Sequence, residues 1–322
     1  MGKMSIEAIT SGKNPLNVMA AAKVSNLWLM TVGLYAFITA WFFLSERLSV
    51  NLVSFGKIWA VAGALLVWEA SARLRRTGTL ASDNPSGRVI FAHVVLTIPA
   101  LGILNHLLMS LNFPLADNLL AGWDERLGFN WLAYANTIGD SYFLSHFTNY
   151  TYSLLIIVIL IIALEKILSR DYARCQELFT LYLYSALTAI VIASFFPSRG
   201  SMDRYADAAT RLKFDAGTGT AFIRQLMELR STDPLTVDPL QLLGLAEFPS
   251  FHTAAAILIA YACRGNSIRL AFGSVFAVGM IAGTPIYGGH YFVDLIAGAG
   301  IAISAIAISQ YRKRNTRHAN PA

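Results

Sequence analysis

The chain has 322 residues, 55% of them apolar and only 14% charged. That is too little polar surface to coat a soluble globule of this size, and the composition belongs in a bilayer. The net charge of +6 reads as an orientation signal and not as a nucleic-acid footprint, because Lys and Arg gather in alternate loops.

Residues 1–25 form a polar segment with Lys3, Lys13 and Lys23, expected on the cytoplasmic side. The apolar run that follows is of full length and lacks a small-residue cleavage site, so it predicts a retained span and not a signal peptide. A span needs about 20 mostly apolar residues. Runs at 26–45, 54–72, 89–111, 145–166, 176–196, 251–263, 269–285 and 290–311 predict an all-α membrane protein of about eight transmembrane helices. The sixth and seventh are short and rich in Gly, Ala and Ser, which lets helices approach closely at the centre of a bundle.

Arg73, Arg75, Arg76 and Arg88, then Lys166, Arg170 and Arg174, then Arg264 and Arg269, then Arg312, Lys313, Arg314 and Arg317 in the tail 312–322, all fall on one side. That side is expected to be the cytoplasm, with both termini on it. Cys175 and Cys263 fall at span ends on the same side, which argues against a disulfide or a metal site built on them. The opposite side receives 112–144 and 197–250. Within the first, 115–135 has apolar residues at helical spacing with Trp123 and Trp131, and predicts one helix lying at the outer interface. Asp124, Glu125 and Arg126 fall on its wet face or line a headgroup entrance. The second is too long for a simple connector, and loops of that length are usually functional.

Ionisable groups near a span are costly and each needs a reason. In FPSFHT, a proline and Ser250 precede a helix start whose first turn carries His252. In GGHYFVD, Gly288 and Gly289 end a loop, His290 opens the last span and Asp294 follows at the fourth position. Residues so spaced share a helix face, so the Asp294 carboxylate can accept from one imidazole nitrogen and leave the other as a nucleophile or base. Helix starts also carry unpaired N–H groups suited to phosphate, and a second histidine facing the first can protonate a leaving alkoxide. Ser250 and Gly289 at these starts, with Arg199 and Arg230 from the outer loop, are the candidates to bind phosphate. His93, His106 and His146 lack carboxylates at helical spacing and read as packing or interfacial residues.

PSFH at 249–252 and H-x-x-x-D at 290–294, one hairpin of two short spans apart, resemble the second and third signature motifs of the type 2 phosphatidic acid phosphatase superfamily, the lipid phosphate phosphatases. The resemblance covers about 89–311 and implies that family's six-helix catalytic core, with two extra N-terminal helices at 26–88. It implies that His290 attacks phosphorus and becomes phosphohistidine, that Asp294 orients it, and that His252 is the general acid. Two features depart from the pattern. Thr284 stands six residues before the nucleophile, where the family often has an arginine, and no lysine and Arg-Pro pair of the first motif is recognisable near 197–250. Both departures are more similar to the branch that contains inositol phosphorylceramide synthase.

The expectation is an integral enzyme of a bacterial inner membrane with its active site on the outer, periplasmic face. It is a phosphatase or phosphotransferase acting on a phospholipid or other lipid phosphate, with water or an alcohol as acceptor, no cofactor, no metal and no nucleic-acid partner. Two rivals stay open: a zinc site built from the two histidines and the aspartate, and a transporter or proton relay using intramembrane His and Asp.

Overall fold

The computed structural model describes residues 15–77, 86–231 and 233–319, with side chains from 28–75, 86–231 and 233–315. The expected N-terminal segment therefore lies outside the described residues up to 14, and its lysines, Arg76, Arg317 and the end of the tail fall outside the described side chains.

The chain is mostly helical. The elements in order are α1 (Pro15–Leu44), β1 (Leu48–Val50), α2 (Leu52–Thr77), α3 (Gly87–Met109), α4 (Asp117–Arg126), α5 (Trp131–Gly139), α6 (Tyr142–Ser153), α7 (Leu155–Leu168) and α8 (Tyr172–Phe195). There follow α9 (Ser201–Tyr205), α10 (Ala208–Arg211), α11 (Ile223–Arg230), β2 (Leu235–Val237), α12 (Phe251–Ala262), α13 (Ser267–Tyr287) and α14 (Phe292–Ala319).

Among the described residues, five helices are long and apolar enough to cross a bilayer: Leu52–Arg75, Gly87–Met109, Tyr172–Phe195, Ser267–Tyr287 and Phe292–Asn315. The pair α6 and α7, bent by 59° at its break, counts as a sixth if it is one span. Trp28–Leu44 and Phe251–Ala262 are shorter apolar helices. All eight apolar runs of the sequence thus coincide with helices or with the bent pair, while five or six meet the length and apolarity a crossing requires.

The central hairpin of α12 and α13 packs as its composition predicts. Gly279 lies against Phe147 and Thr151 of α6, and Gly273 against Cys263, each so near that a methyl group has no room. Ala254, Ala255 and Ala256 of α12 are fully buried against α8 and its neighbours. The basic clusters expected on one side meet there: Glu177 holds Arg264 at 2.6 Å and Lys313 at 2.7 Å, and Glu165 holds Arg269 and Lys166.

The single interfacial helix expected over 115–135 is two helices. Leu127 caps α4, Gly128 follows at φ +71°, and the Asn130 side chain accepts from the Ala133 N–H to start α5. A glycine that takes a left-handed conformation and an N-cap asparagine end one helix and begin the next, and that chemistry overrides the apolar periodicity. Asp124 is not on a wet face either, being 1% exposed. Trp131, 2% exposed, donates from Nε1 to the Pro285 carbonyl at 3.1 Å and is a packing residue instead of an interfacial one.

Candidate active site

The site is built where the starts of α12 and α14 meet. Ser250 caps α12, its Oγ accepting from the Thr253 N–H at 3.3 Å, while its own N–H donates to the Asp294 carbonyl at 2.9 Å. Gly298 of α14 faces the Ser250 carbonyl so closely that no side chain fits between them. This approach brings the rings of His252 and His290 to a centroid distance of 6.3 Å, edge to face.

His290 does not open the last helix. It sits in the turn just ahead of Phe292, and Asp294 reaches back to it, Oδ2 lying 3.2 Å from Nδ1. The same Oδ2 accepts the Tyr291 N–H at 2.9 Å, which is the return half of a capping box. The next two backbone donors are taken by Asp124 of α4: Phe292 N–H bonds its Oδ2 and Val293 N–H its Oδ1, both at 2.8 Å. The expectation that the start of α14 cradles phosphate is therefore corrected, because two carboxyl groups already occupy its donors.

Glu247 was not singled out in the sequence. It is 3% exposed, with Oε2 at 3.1 Å from His290 Nδ1, so one imidazole nitrogen faces two carboxyl groups. Burial, with the charges of Asp294 and Asp117 added, pushes the Glu247 carboxyl well above the usual carboxylate range. Burial pushes the His290 imidazole the other way, down to about 3, so that it is neutral at physiological pH. The signal was available, since an acid directly before FPSFH in an apolar stretch is a costly residue without a surface reason. Its contact with His290 spans two helices and has no local signature.

His252 is held by stacking on Tyr152, at 4.3 Å and 20° between planes. Tyr152 lies near the end of α6, just before the bend, and its hydroxyl and His290 Cδ2 crowd the same face of Gly288. A Cβ there would stand 2.6 Å from Cδ2 and 2.8 Å from the hydroxyl. Gly289, at φ +74°, presses on Gly219 and accepts the Ser201 N–H at 2.6 Å through its carbonyl. Ser201 Oγ donates to the His290 carbonyl at 2.8 Å, so the outer loop is bonded to the turn that carries the nucleophile candidate.

The turn that leads into Ser201 is organised by Asp117. Its carboxylate accepts from Ser198 Oγ, from the Arg199 and Gly200 N–H groups, and from the Tyr291 hydroxyl. The Arg199 guanidinium is half-exposed and pairs with Asp203 at 3.0 Å. Arg230 donates from Nη1 to the Phe113 carbonyl at 2.8 Å, and no described contact brings it to the histidines. His290, Asp294, His252, Ser250 and Gly289 are thus gathered together, whereas the two arginines serve other partners in this structure.

Of the remaining histidines, His93 packs with Thr31 and Thr97, His106 bonds the Gly102 carbonyl and Gln225, and His146 lies tilted against the Tyr142 ring. Glu247, His290 and Asp294 each offer a ligand atom within 4.8 Å of the others, a donor set different from the two histidines and aspartate of the zinc expectation.

The site thus holds two histidines, one in the first turn of α12 and one in the turn ahead of α14, the second backed by a buried aspartate. The sequence profile of the PAP2 superfamily matches residues 118–308, and the chain belongs to that superfamily, whose members are generally phosphatases or phosphotransferases. No curated protein and no solved structure matches the chain.

Proposed function

We propose that the protein is an integral membrane enzyme that cleaves a phosphate ester of a lipid through a phosphohistidine intermediate on His290, without a metal. The observation that carries this reading is the pairing of His290 Nδ1 with buried Asp294 at 3.2 Å, with the His252 ring 6.3 Å away across the site. With Nδ1 committed to a carboxylate, the lone pair of Nε2 is the nucleophile.

In the first step Nε2 forms a bond to phosphorus while the P–O bond to the lipid alcohol breaks, and the leaving oxygen takes a proton from His252. The negative charge of the bound phosphate favours the protonated form of His252 before that step. In the second step His252 takes a proton from the acceptor hydroxyl, the acceptor oxygen bonds phosphorus, and the P–N bond breaks. Water as acceptor gives free phosphate; an alcohol gives a transfer product. The start of α12 beside His252 is the phosphate cradle left open, with Ser250 and Gly289 shaping it and Arg199 as its candidate cation.

Thr284 in place of an arginine supports the second reading, a transferase of the inositol phosphorylceramide synthase type that passes a phospho-headgroup to a lipid or polyol alcohol. In either reading eight helices cross, both termini are cytoplasmic, and the site opens at the outer, periplasmic face of a bacterial inner membrane. The transporter reading is weaker, because the His and Asp residues gather at helix starts instead of at mid-span.

The test uses purified protein in detergent with a 32P-labelled phosphatidic acid donor. Label should enter the protein and be absent from H290A, and chelators should leave turnover intact. Full turnover by H290A would sink the assignment. Adding inositol or glycerol separates the readings, since phosphate release without any transfer product rejects the transferase.

A further inference from the structure

The carboxyl pair on His290 poses a problem that the two-step chemistry does not use. Asp294 and Glu247 are both nearly inaccessible, at 0% and 3% exposure, and no Lys or Arg is among their described partners. Two ionised carboxylates so close in a low-dielectric site repel strongly, so one of the two holds a proton. The hydrogen bonds say which. Asp294 receives the Tyr291 N–H and the His290 Nδ1–H on Oδ2, and donors stabilise the charged form. Glu247 receives no described donor in bonding geometry; its Oε2 is 3.1 Å from Nδ1 yet counts as a buried oxygen without a hydrogen-bond partner.

The other buried oxygen of the cluster without a partner is Asp294 Oδ1. Two orphaned acceptors cost free energy, and the Glu247 and Asp294 carboxyls each offer an atom within 4.8 Å of the other, so a single proton shared between the two groups makes one a donor and the other its acceptor. We propose that Glu247 is a neutral carboxylic acid that donates its proton to Asp294 Oδ1, and is thus a positioning residue one step behind the aspartate that orients His290. The chain of bonds runs Glu247 Oε2–H to Asp294 Oδ1, then His290 Nδ1–H to Asp294 Oδ2, leaving Nε2 free. This deepens the proposed function and rests on it for its effect on rate, although the protonation state itself does not.

The groups that face Glu247 are Asp294 from α14, Asp117 from α4, Tyr152 from α6 and His290 from the turn. None is a cation at neutral pH, so every neighbour favours the neutral acid. Ionisation of Glu247 at alkaline pH removes the donor and sets a second negative charge against Asp294, and the nucleophile loses its orientation. Turnover should therefore fall on the alkaline side with the titration of Glu247.

The full-length protein in lipid bilayers is examined by infrared difference spectroscopy, which detects the C=O stretch of a protonated carboxyl. The wild type should show that band at neutral pH, lose it at alkaline pH, and E247Q should lack it throughout. Turnover of phosphatidic acid is followed in parallel. E247A should lose about 10–100-fold in kcat, by analogy with the loss seen when the outer partner of a metal-bound histidine is removed. E247Q, whose amide N–H can replace the donated proton, should recover most of that loss and lack the alkaline decline.

Absence of the band from the wild type at neutral pH overturns the proposal, as does its persistence in E247Q. So does an E247Q as impaired as E247A, which would mean that an ionised Glu247 is needed. Wild-type turnover in E247A, or a stoichiometric metal that the wild type carries and E247Q lacks, overturns it too. Failure of the phosphohistidine reading shows itself differently: the wild type then has no turnover or labelling, while the infrared band still decides the state of Glu247.

Discussion

Replacing Asp124 with alanine tests whether the site depends on a carboxylate contributed by a separate helix. In the structure Asp124 is the only described side chain bonded to the Phe292 and Val293 N–H groups, both at 2.8 Å, and it is 1% exposed. A hydrogen bond to a charged group contributes about 1.5–3 kcal/mol, and the loss of two leaves two buried donors unpaired. Against that, alanine removes a buried carboxyl whose desolvation raises its pKa above the ordinary range, so part of the cost is returned. The net expectation is about 2–4 kcal/mol, above the roughly 0.5–2 kcal/mol that loss of a helix cap usually costs, because two buried donors lose their partner. Thermal unfolding in detergent, followed by tryptophan fluorescence, should show a midpoint lower by roughly 4–10 °C. Asparagine should recover only part, because its carbonyl can accept one N–H while its amide group faces the other. Turnover should fall along with stability, since the turn that carries His290 enters α14 at this cap. An alanine variant that melts and turns over like the wild type would refute the view that Asp124 holds the start of α14.

Gly288→Ala should lose most activity: the added methyl would stand 2.6 Å from His290 Cδ2, 2.8 Å from the Tyr152 hydroxyl and 2.9 Å from the Thr284 carbonyl, so both rings and the turn have to shift. Steady-state turnover against a melting curve separates displacement of the ring from unfolding. For His290, burial lowers the pKa from 6.5 to about 3, so the unfolded chain takes up its proton well before the folded one does. Stability should therefore decline as pH falls from 6.5 towards 3, and the decline should be shallower in His290→Gln, measured as midpoint against pH. Arg47→Ala should loosen the outer loop, because Arg47 donates to the Asp233, Glu228 and Leu229 carbonyls. Limited proteolysis within 228–238 should accelerate, and an unchanged rate counts against a clamp at Arg47.

The helices were legible because apolar run length is a property of the local sequence, and all eight runs are occupied. That His252, His290 and Asp294 lie together was legible for a related reason: polar residues at the end of an apolar run stand out by cost alone. What was misread depended on turn chemistry or on distant contacts. Leu127-Gly128-Phe129-Asn130 carries its own stop and start signals, but the periodicity on either side is continuous and hides them. Asp124 reads as a wet-face residue beside Glu125 and Arg126, and only the arrival of α14 shows that its oxygens are a cap for another helix. Glu247 was passed over, because only its contact with His290 across two helices shows its place. Arg230 illustrates the same dependence on distant contacts, since the partner its guanidinium has in this structure, the Phe113 carbonyl, has no local signature in the sequence.

The two N-terminal helices bear on the site through the outer loop. The matched superfamily region begins after them, at residue 118, which alone would suggest an appendage. Yet β1, in the link between α1 and α2, pairs in parallel with β2 in the outer loop, Leu48 opposite Leu235 through Val50 opposite Val237. The Asn51 side chain adds a bond to Asp238, and the Ser49 and Thr236 hydroxyls meet at 2.9 Å. A short two-stranded ladder is weak by itself, and here Arg47 strengthens it by binding carbonyls at the end of α11 and beyond. The same outer loop continues through Leu245, whose N–H bonds Asn105 of α3, to Glu247 and the Ser250 cap. Its other end is fixed by Asp117 and by the Ser201 bonds to Gly289 and His290. A segment tied at both ends to the turn that carries His290 and in its middle to the N-terminal pair can transmit the placement of that pair to Glu247 and His252, which makes α1 and α2 a support of the candidate site instead of a separate module.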